Sequence, residues 1–243
     1  MVEWYEGDEN EVFIPKSFEG KPVTTIRYIA FRYKKNVTKV HLPDSITNIQ
    51  KHAFLDCINL ETITGMSNLI TIGEGAFIGC EKLKEVTIPN VITIGNYAFS
   101  GCYNLKSIGL IPKCKSIGLY SFEYTSLDSI VLPENISSIK LGTFYACESL
   151  KSITIPSNIK YIDSDAFRNC TSLVEIYIPI SVIDVGSEAF KGCSNLTIYC
   201  ERDSVPSPWG WGMEWDGGAD VIWGYKDLVD TPDNLSYRLT KGI

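Results

Sequence analysis

Apolar positions along this chain follow a cycle of 22 or 23 residues, far longer than the period of a single helix or strand. Phe31, Phe54, Phe77, Phe99, Phe122, Phe144, Phe167 and Phe190 are separated by 23, 23, 22, 23, 22, 23 and 23 residues. A small residue precedes each of them: Ala30, Ala53, Ala76, Ala98, Ala166 and Ala189, with Ser121 and Thr143 in the other two units. Six positions after the phenylalanine stands Leu60, Leu83, Leu105, Leu150, Leu173 or Leu196, with Val37 in the first unit and Leu127 one residue early. The chain then alternates apolar, exposed, apolar and usually closes with proline, as in VHLP at 40–43, VTIP at 86–89, IVLP at 130–133, ITIP at 153–156 and IYIP at 176–179. That alternation predicts a short strand, and proline ends it because it can neither donate to the ladder nor extend the strand.

A second apolar pair follows each turn, as at Ile46 and Ile49, Ile136 and Ile139, or Ile159 and Ile162. Gly73, Gly95, Gly118 and Gly186 come next and read as sharp bends. The segments GEGAFIGCEKL at 73–83 and GNYAFSGCYNL at 95–105 predict a single helical or 3-10 turn on the outer side. A unit of this size cannot bury its own apolar face, so identical units must stack and share one core. With strands about 4.8 Å apart, some eight coils span roughly 40 Å, and their strands form one parallel sheet.

So aligned, the unit LKEVTIPNVITIGNYAFSGC at 83–102 resembles the leucine-rich repeats of the BspA-like family, and the resemblance covers about residues 11–200. It implies a leucine-rich repeat solenoid, a right-handed curved stack with its parallel sheet on the concave side and short strands or turns outside. The family resemblance also implies protein binding or adhesion, in a secreted or cell-surface setting, with no catalytic residues to carry over. The expected organisation is a single domain: a capping segment at 1–22, repeats at 23–199, a tryptophan-rich cap at 200–226 and a tail at 227–243.

Composition refines this picture. Lys and Arg total 22 against 29 Asp and Glu, without a long run of either sign, so nucleic acid is not an expected partner. The opening MVEWYEGDENEVF lacks the basic-then-apolar pattern of a secretory leader, and no anchor motif is visible, which leaves the cytoplasm open beside the surface. No apolar run approaches the ~18 residues of a membrane span, so membrane insertion is not expected. Five NxS/T sequons, at Asn36, Asn135, Asn169, Asn195 and Asn234, fall largely at repeat positions and carry little weight.

Six of the eight cysteines, Cys57, Cys80, Cys102, Cys147, Cys170 and Cys193, stand three residues after a phenylalanine, and Thr125 fills that slot once. They read as small buried core residues rather than metal ligands or disulfides. Cys114 and Cys200 lie off the ladder and are the candidates for exposed, reactive thiols. His41 is expected on a strand surface and His52 on an outer bend; neither pairs with a cysteine or serine to suggest catalysis. Carboxylates are scattered, phosphate-cradling glycine loops are lacking, and Glu214, Asp216 and Asp220 do not match a calcium loop. No cofactor, metal or enzymatic activity is expected.

The concave face offers the most natural binding surface, and its candidate residues are Lys39, His41, Thr64, Glu85, Thr87, Thr154, Glu175 and Tyr177, with a protein ligand as the expected partner. Small side chains dominate the middle, at Ser107, Gly109, Ser129, Val131 and Ser152, so a partner is expected to grip the ends. Trp209, Trp211, Trp215 and Trp223 cluster near the C-terminus. Trp211 and Trp215 are the alternative, glycan-binding site of a carbohydrate-binding module, although a lid over the last coil is the preferred reading. The tail is expected to pack on its own solenoid or on a second copy of the chain, through Leu228, Leu235, Tyr237 and Leu239.

Overall fold

A computed structural model describes residue 2, residues 4–205 and residues 211–226. Most of the alternating stretches form a short strand with its middle residue buried and its neighbours turned outward, but VTIP at 86–89 does not, and only an isolated bridge from Glu85 to Ser107 stands beside it. Glu11–Phe13 pairs in parallel with Lys39–His41, and that strand pairs with Thr62–Thr64. Further along, Ser129–Val131 pairs with Ser152–Thr154, and Glu175–Ile178 pairs with Thr197–Cys200, which continues to Asp220–Ile222. The result is a parallel β-solenoid of about eight coils, without a helix among the described residues.

The face is not the single continuous sheet expected from the repeat. Between Thr62–Thr64 and Ser129–Val131 the described ladder is reduced to the isolated bridge from Glu85 to Ser107. Two glycines account for the gap. Gly65 stands where other units carry the second apolar strand residue, as at Leu42, Ile88, Ile155 and Ile178, and has φ +80°, while Gly109 occupies a strand position at φ +64°. A left-handed residue turns the backbone out of the extended form that a ladder requires.

A second parallel ladder runs along another side of the coils, through Thr25–Ile26, Asn48–Ile49, Thr71–Ile72, Thr93–Ile94 and Ser116–Ile117. It resumes at Ser138–Ile139, Tyr161–Ile162 and Asp184–Val185. The glycines after it are required for a reason other than bending: a Cβ on Gly95 would lie 2.5 Å from the Glu74 nitrogen and 2.6 Å from the Gly73 carbonyl carbon. Neighbouring coils touch backbone to backbone there.

The phenylalanine segment is a run of hydrogen-bonded turns rather than the helical or 3-10 turn expected. Alternate amides bond within the coil and to the next one: Ala53 N–H donates to Gln50 and Leu55 N–H to His52, whereas His52, Phe54 and Asp56 donate to Glu74, Ala76 and Ile78. Left-handed residues two positions before and two positions after each phenylalanine set this alternation. They are residues 29 and 33, 52 and 56, 75 and 79, 97 and 101, 120 and 124, 142 and 146, 165 and 169, and 188 and 192. No helix continues through such residues.

Within the core the eight phenylalanine rings stack at 4.9–5.7 Å between centroids, tilted by no more than 16°. Tyr5 continues the stack beyond Phe31 at 4.9 Å, and Trp215 closes it edge-on at 6.2 Å from Phe190. Beside this column, each ladder thiol donates to the phenylalanine carbonyl of the preceding coil: Cys57 to Phe31 at 2.9 Å, Cys102 to Phe77 at 3.1 Å, Cys193 to Phe167 at 3.1 Å. Asparagines stitch the edges in the same way, with Asn59, Asn90, Asn104 and Asn135 donating to backbone carbonyls of the preceding coil at 2.7–2.9 Å.

Candidate functional site

The strand face separates the eight candidate residues into two clusters and a bare middle. At the N-terminal end His41 is half-exposed, with its Nδ1 3.0 Å from Thr64 Oγ1 and its Nε2 2.8 Å from Glu11 Oε1. Phe13 stacks on its ring at 4.4 Å. Lys39 stands exposed in register between Glu11 and Thr62. The imidazole hydrogen bond, foremost, and then the Lys39 charge hold the Glu11 carboxyl below the usual carboxylate range. This cluster is a polar, partly charged patch fixed by its own contacts.

At the C-terminal end Thr154 and Tyr177 share the wall of a concavity of about 330 Å³ with Ile153, Ile155, Ser157, Ile178, Pro179, Tyr199, Glu201 and Tyr225. Tyr177 and Tyr199 stack at 4.9 Å, and Tyr225 leans against both at 5.4 and 5.0 Å. Glu175 Oε2 lies 3.5 Å from the Tyr177 hydroxyl. Glu201, the charged residue of the lining, accepts the Ile180 N–H at 2.6 Å through one oxygen. A cavity with apolar and aromatic walls and few polar groups has the make-up of a ligand or side-chain pocket. Glu85 and Thr87 fall between the clusters, beside the broken ladder, and join neither.

Reading the sequence missed Glu11, Phe13, Tyr199, Glu201 and Tyr225. The strand register pairs Phe13 with His41 and Tyr177 with Tyr199. Carrying the alternation one coil outward, to EVFIP at 11–15 and TIYC at 197–200, would therefore have found Glu11, Phe13 and Tyr199. Glu201 and Tyr225 carry no repeat signal, because the closing segment brings them in from outside the periodic part.

Most of the thiols are chemically quiet, although the hydrogen bond with Cys170 lowers the pKa of Cys193. All eight cysteines are free and buried. Cys114 and Cys200, expected at the surface, are both fully covered, because they fill apolar slots of their own coils. Burial pushes the Cys57, Cys147 and Cys200 thiols up to about 12 and raises Cys114 as well. A thiol so held is neither nucleophile nor ligand. His52 is half-buried, and burial foremost lowers its pKa. Among the described residues no group of three or more His, Cys, Asp or Glu side chains is placed to hold a metal ion.

Trp211 and Trp215 are each 7% exposed and meet edge-to-face at 4.6 Å, with Trp223 at 5.5 and 6.1 Å. They form a packed aromatic knot over the Phe190 end of the core and leave little ring surface for a sugar. Trp209 and the tail residues Leu228, Leu235, Tyr237 and Leu239 lie outside the described residues. No helix among the described residues is long and apolar enough to cross a membrane.

A family model described as BspA type leucine-rich repeat region matches the chain in six copies, over residues 24–147 and 89–197. Among solved structures, a leucine-rich repeat protein from Bacteroides ovatus superposes with a TM-score of 0.70 and 28% identity, over 88% of this chain and 63% of that one. The T. pallidum leucine-rich repeat protein superposes with a TM-score of 0.54 and 27% identity, over 79% of this chain and 80% of that one. The chain thus spans less than two thirds of the Bacteroides protein. No curated protein matches it.

Proposed function

This chain belongs to the BspA-type leucine-rich repeat family, and from that premise we propose that it is a non-catalytic, adhesion-type module that binds a protein partner at the cell surface or outside the cell. The C-terminal end of the concave face is the proposed grip. The observation that carries this reading is the group of Tyr177, Tyr199 and Tyr225 around a concavity of about 330 Å³ at the edge of the exposed sheet. Tyrosine supplies rigid, amphipathic contact area at small entropic expense and is enriched where proteins meet. The patch of Lys39, His41 and Glu11 at the other end would fix orientation rather than supply most of the affinity, since half-exposed charge pairs contribute little.

The test is capture from surface extracts of candidate host or neighbouring cells, with the parent chain and a Tyr177→Ala, Tyr199→Ala variant compared at equal thermal stability. A partner identified with the parent, and bound at least about tenfold more weakly by the variant, is the expected result. A partner held equally by both would remove the proposed grip.

A further inference from the structure

A second aromatic surface lies on the turn side of the solenoid, away from the sheet face. Three successive coils place Tyr97, Tyr103, Tyr120, Tyr124 and Tyr145 in one unbroken chain of ring contacts. Tyr97 stacks on Tyr120 at 5.3 Å, Tyr120 meets Tyr145 at 6.4 Å, Tyr145 meets Tyr124 edge-on at 5.6 Å, and Tyr124 meets Tyr103 at 6.4 Å. Tyr97, Tyr103 and Tyr124 are 37%, 54% and 44% exposed, so the rings are displayed rather than packed away.

The backbone opposes this placement. Tyr97, Tyr120 and Tyr124 have φ of 56°, 51° and 55°, at the repeat's two left-handed positions, which other coils fill with glycines such as Gly75, Gly79, Gly142 and Gly192 or with side chains such as Ile29, His52 and Asp165. A bulky residue in the left-handed region is strained. The ring of Tyr120 is also seated: a Cβ on Gly142 would lie 2.0 Å from its Cε1, so the glycine of the next coil leaves the space that the ring occupies.

Carboxylates border the patch. Burial first, then the charges of Asp165 and Glu123 among others, hold the Tyr120 hydroxyl above its usual pKa. Glu148 lines a concavity of about 310 Å³ together with Tyr103 and Tyr124. Arg168 stands over the Tyr145 ring at 6.0 Å, and its guanidinium is already held by Asp165 at 3.0 Å and Glu188 at 2.5 Å. The molecule thus carries, within itself, one arginine bound to this surface through a ring face and two carboxylates.

We propose that this tyrosine patch is a docking surface for an arginine-bearing basic segment of a partner protein, distinct from the grip on the concave face. Charge complementarity selects a cationic partner, in keeping with the formal net charge of −7. Ring faces select arginine over lysine, because a planar guanidinium stacks on tyrosine while its fork pairs with carboxylate.

The left-handed backbone provides a test in which binding and folding separate. Asparagine is tolerated at positive φ, so Tyr97→Asn with Tyr124→Asn leaves Tm unchanged or higher. Fluorescence anisotropy with the full chain uses a labelled peptide alternating arginine and serine, its lysine counterpart and its glutamate counterpart. The expected result is binding of the arginine peptide, about tenfold weaker binding of the lysine peptide, and about tenfold weaker binding of the arginine peptide by the double variant. Undiminished binding by that variant, equal binding of the two basic peptides, or no binding of the arginine peptide would each overturn the proposal. So would tighter binding of the glutamate peptide. Should Tm fall with binding, Tyr103→Ser decides: lost affinity supports the patch and retained affinity overturns it.

Discussion

A Cβ atom at Gly95 would lie 2.5 Å from the Glu74 nitrogen, whereas at Gly101 nothing stands nearer than 3.7 Å although φ is +70°. One glycine is needed for the close approach of two backbones and the other only for its own dihedral angle. Gly101→Ala is therefore expected to lose about 1–2 kcal/mol, the left-handed penalty alone. Gly95→Ala must push two coils apart and is expected to lose more, on the order of 3 kcal/mol. Urea unfolding of both variants checks this, and equal losses would show that the two positions do the same work. In the sequence the two residues look alike, since each is a glycine near an Ala-Phe pair. Only the neighbouring coil distinguishes them.

Between coils the repeating contacts act as columns, and the thiol column shows how burial couples to pH. Cys57 and Cys147 titrate near 9.0 when unfolded and are pushed up to about 12 when folded, by burial above all, while Cys80 is raised well above 9.0 for the same reason. Above pH 9 the unfolded chain releases these protons and the folded chain keeps them, so the unfolded state binds fewer protons and stability falls as pH rises. The stability is fully present below about pH 9, and each such thiol removes about 1.4 kcal/mol per pH unit above it until its folded value is reached. Urea midpoints measured from pH 7 to about 10.5 are expected to be level and then to drop. Replacing Cys57 and Cys147 with alanine flattens the drop, and an unchanged slope would mean that the thiols are already open to solvent. The regular spacing in the sequence already marked this column as core. It did not reveal the hydrogen bond from each thiol to the preceding phenylalanine carbonyl, which is why a weak donor suits the slot better than a pure hydrocarbon.

For the whole molecule, the ends matter most, because each coil is stabilised chiefly by its neighbours and a terminal coil has one neighbour fewer. Trp215 stands in for the missing coil at the Phe190 end. Trp215→Ala is expected to remove about 3 kcal/mol of local stability. Hydrogen exchange should then quicken across residues 188–200, with residues 48–60 unaffected. Uniform loss of protection along the chain would instead mean that the solenoid unfolds as one unit. The same logic places the candidate sites: the two face clusters sit where the array meets its terminal segments, and the tyrosine patch sits on its middle coils.

The sequence by itself determined the period, the stacking, the buried columns of phenylalanine, leucine and cysteine, and the strand positions, because each is a local preference repeated until chance is excluded. His41, Thr154, Glu175 and Tyr177 were legible as exposed strand residues for that reason. Tertiary structure alone decided which of them meet. Tyr199 and Tyr225 join Tyr177 across separate turns of the chain, and Glu11 and Phe13 reach His41 from the first unit. It also decided that the outer segment would be turns rather than a helix, and that the face would divide into separate ladders, broken beside Gly65 and Gly109 and again between Thr154 and Glu175. Those outcomes depend on the inter-coil hydrogen bonds and the room left by the adjacent coil, and neither quantity is a property of one repeat taken alone.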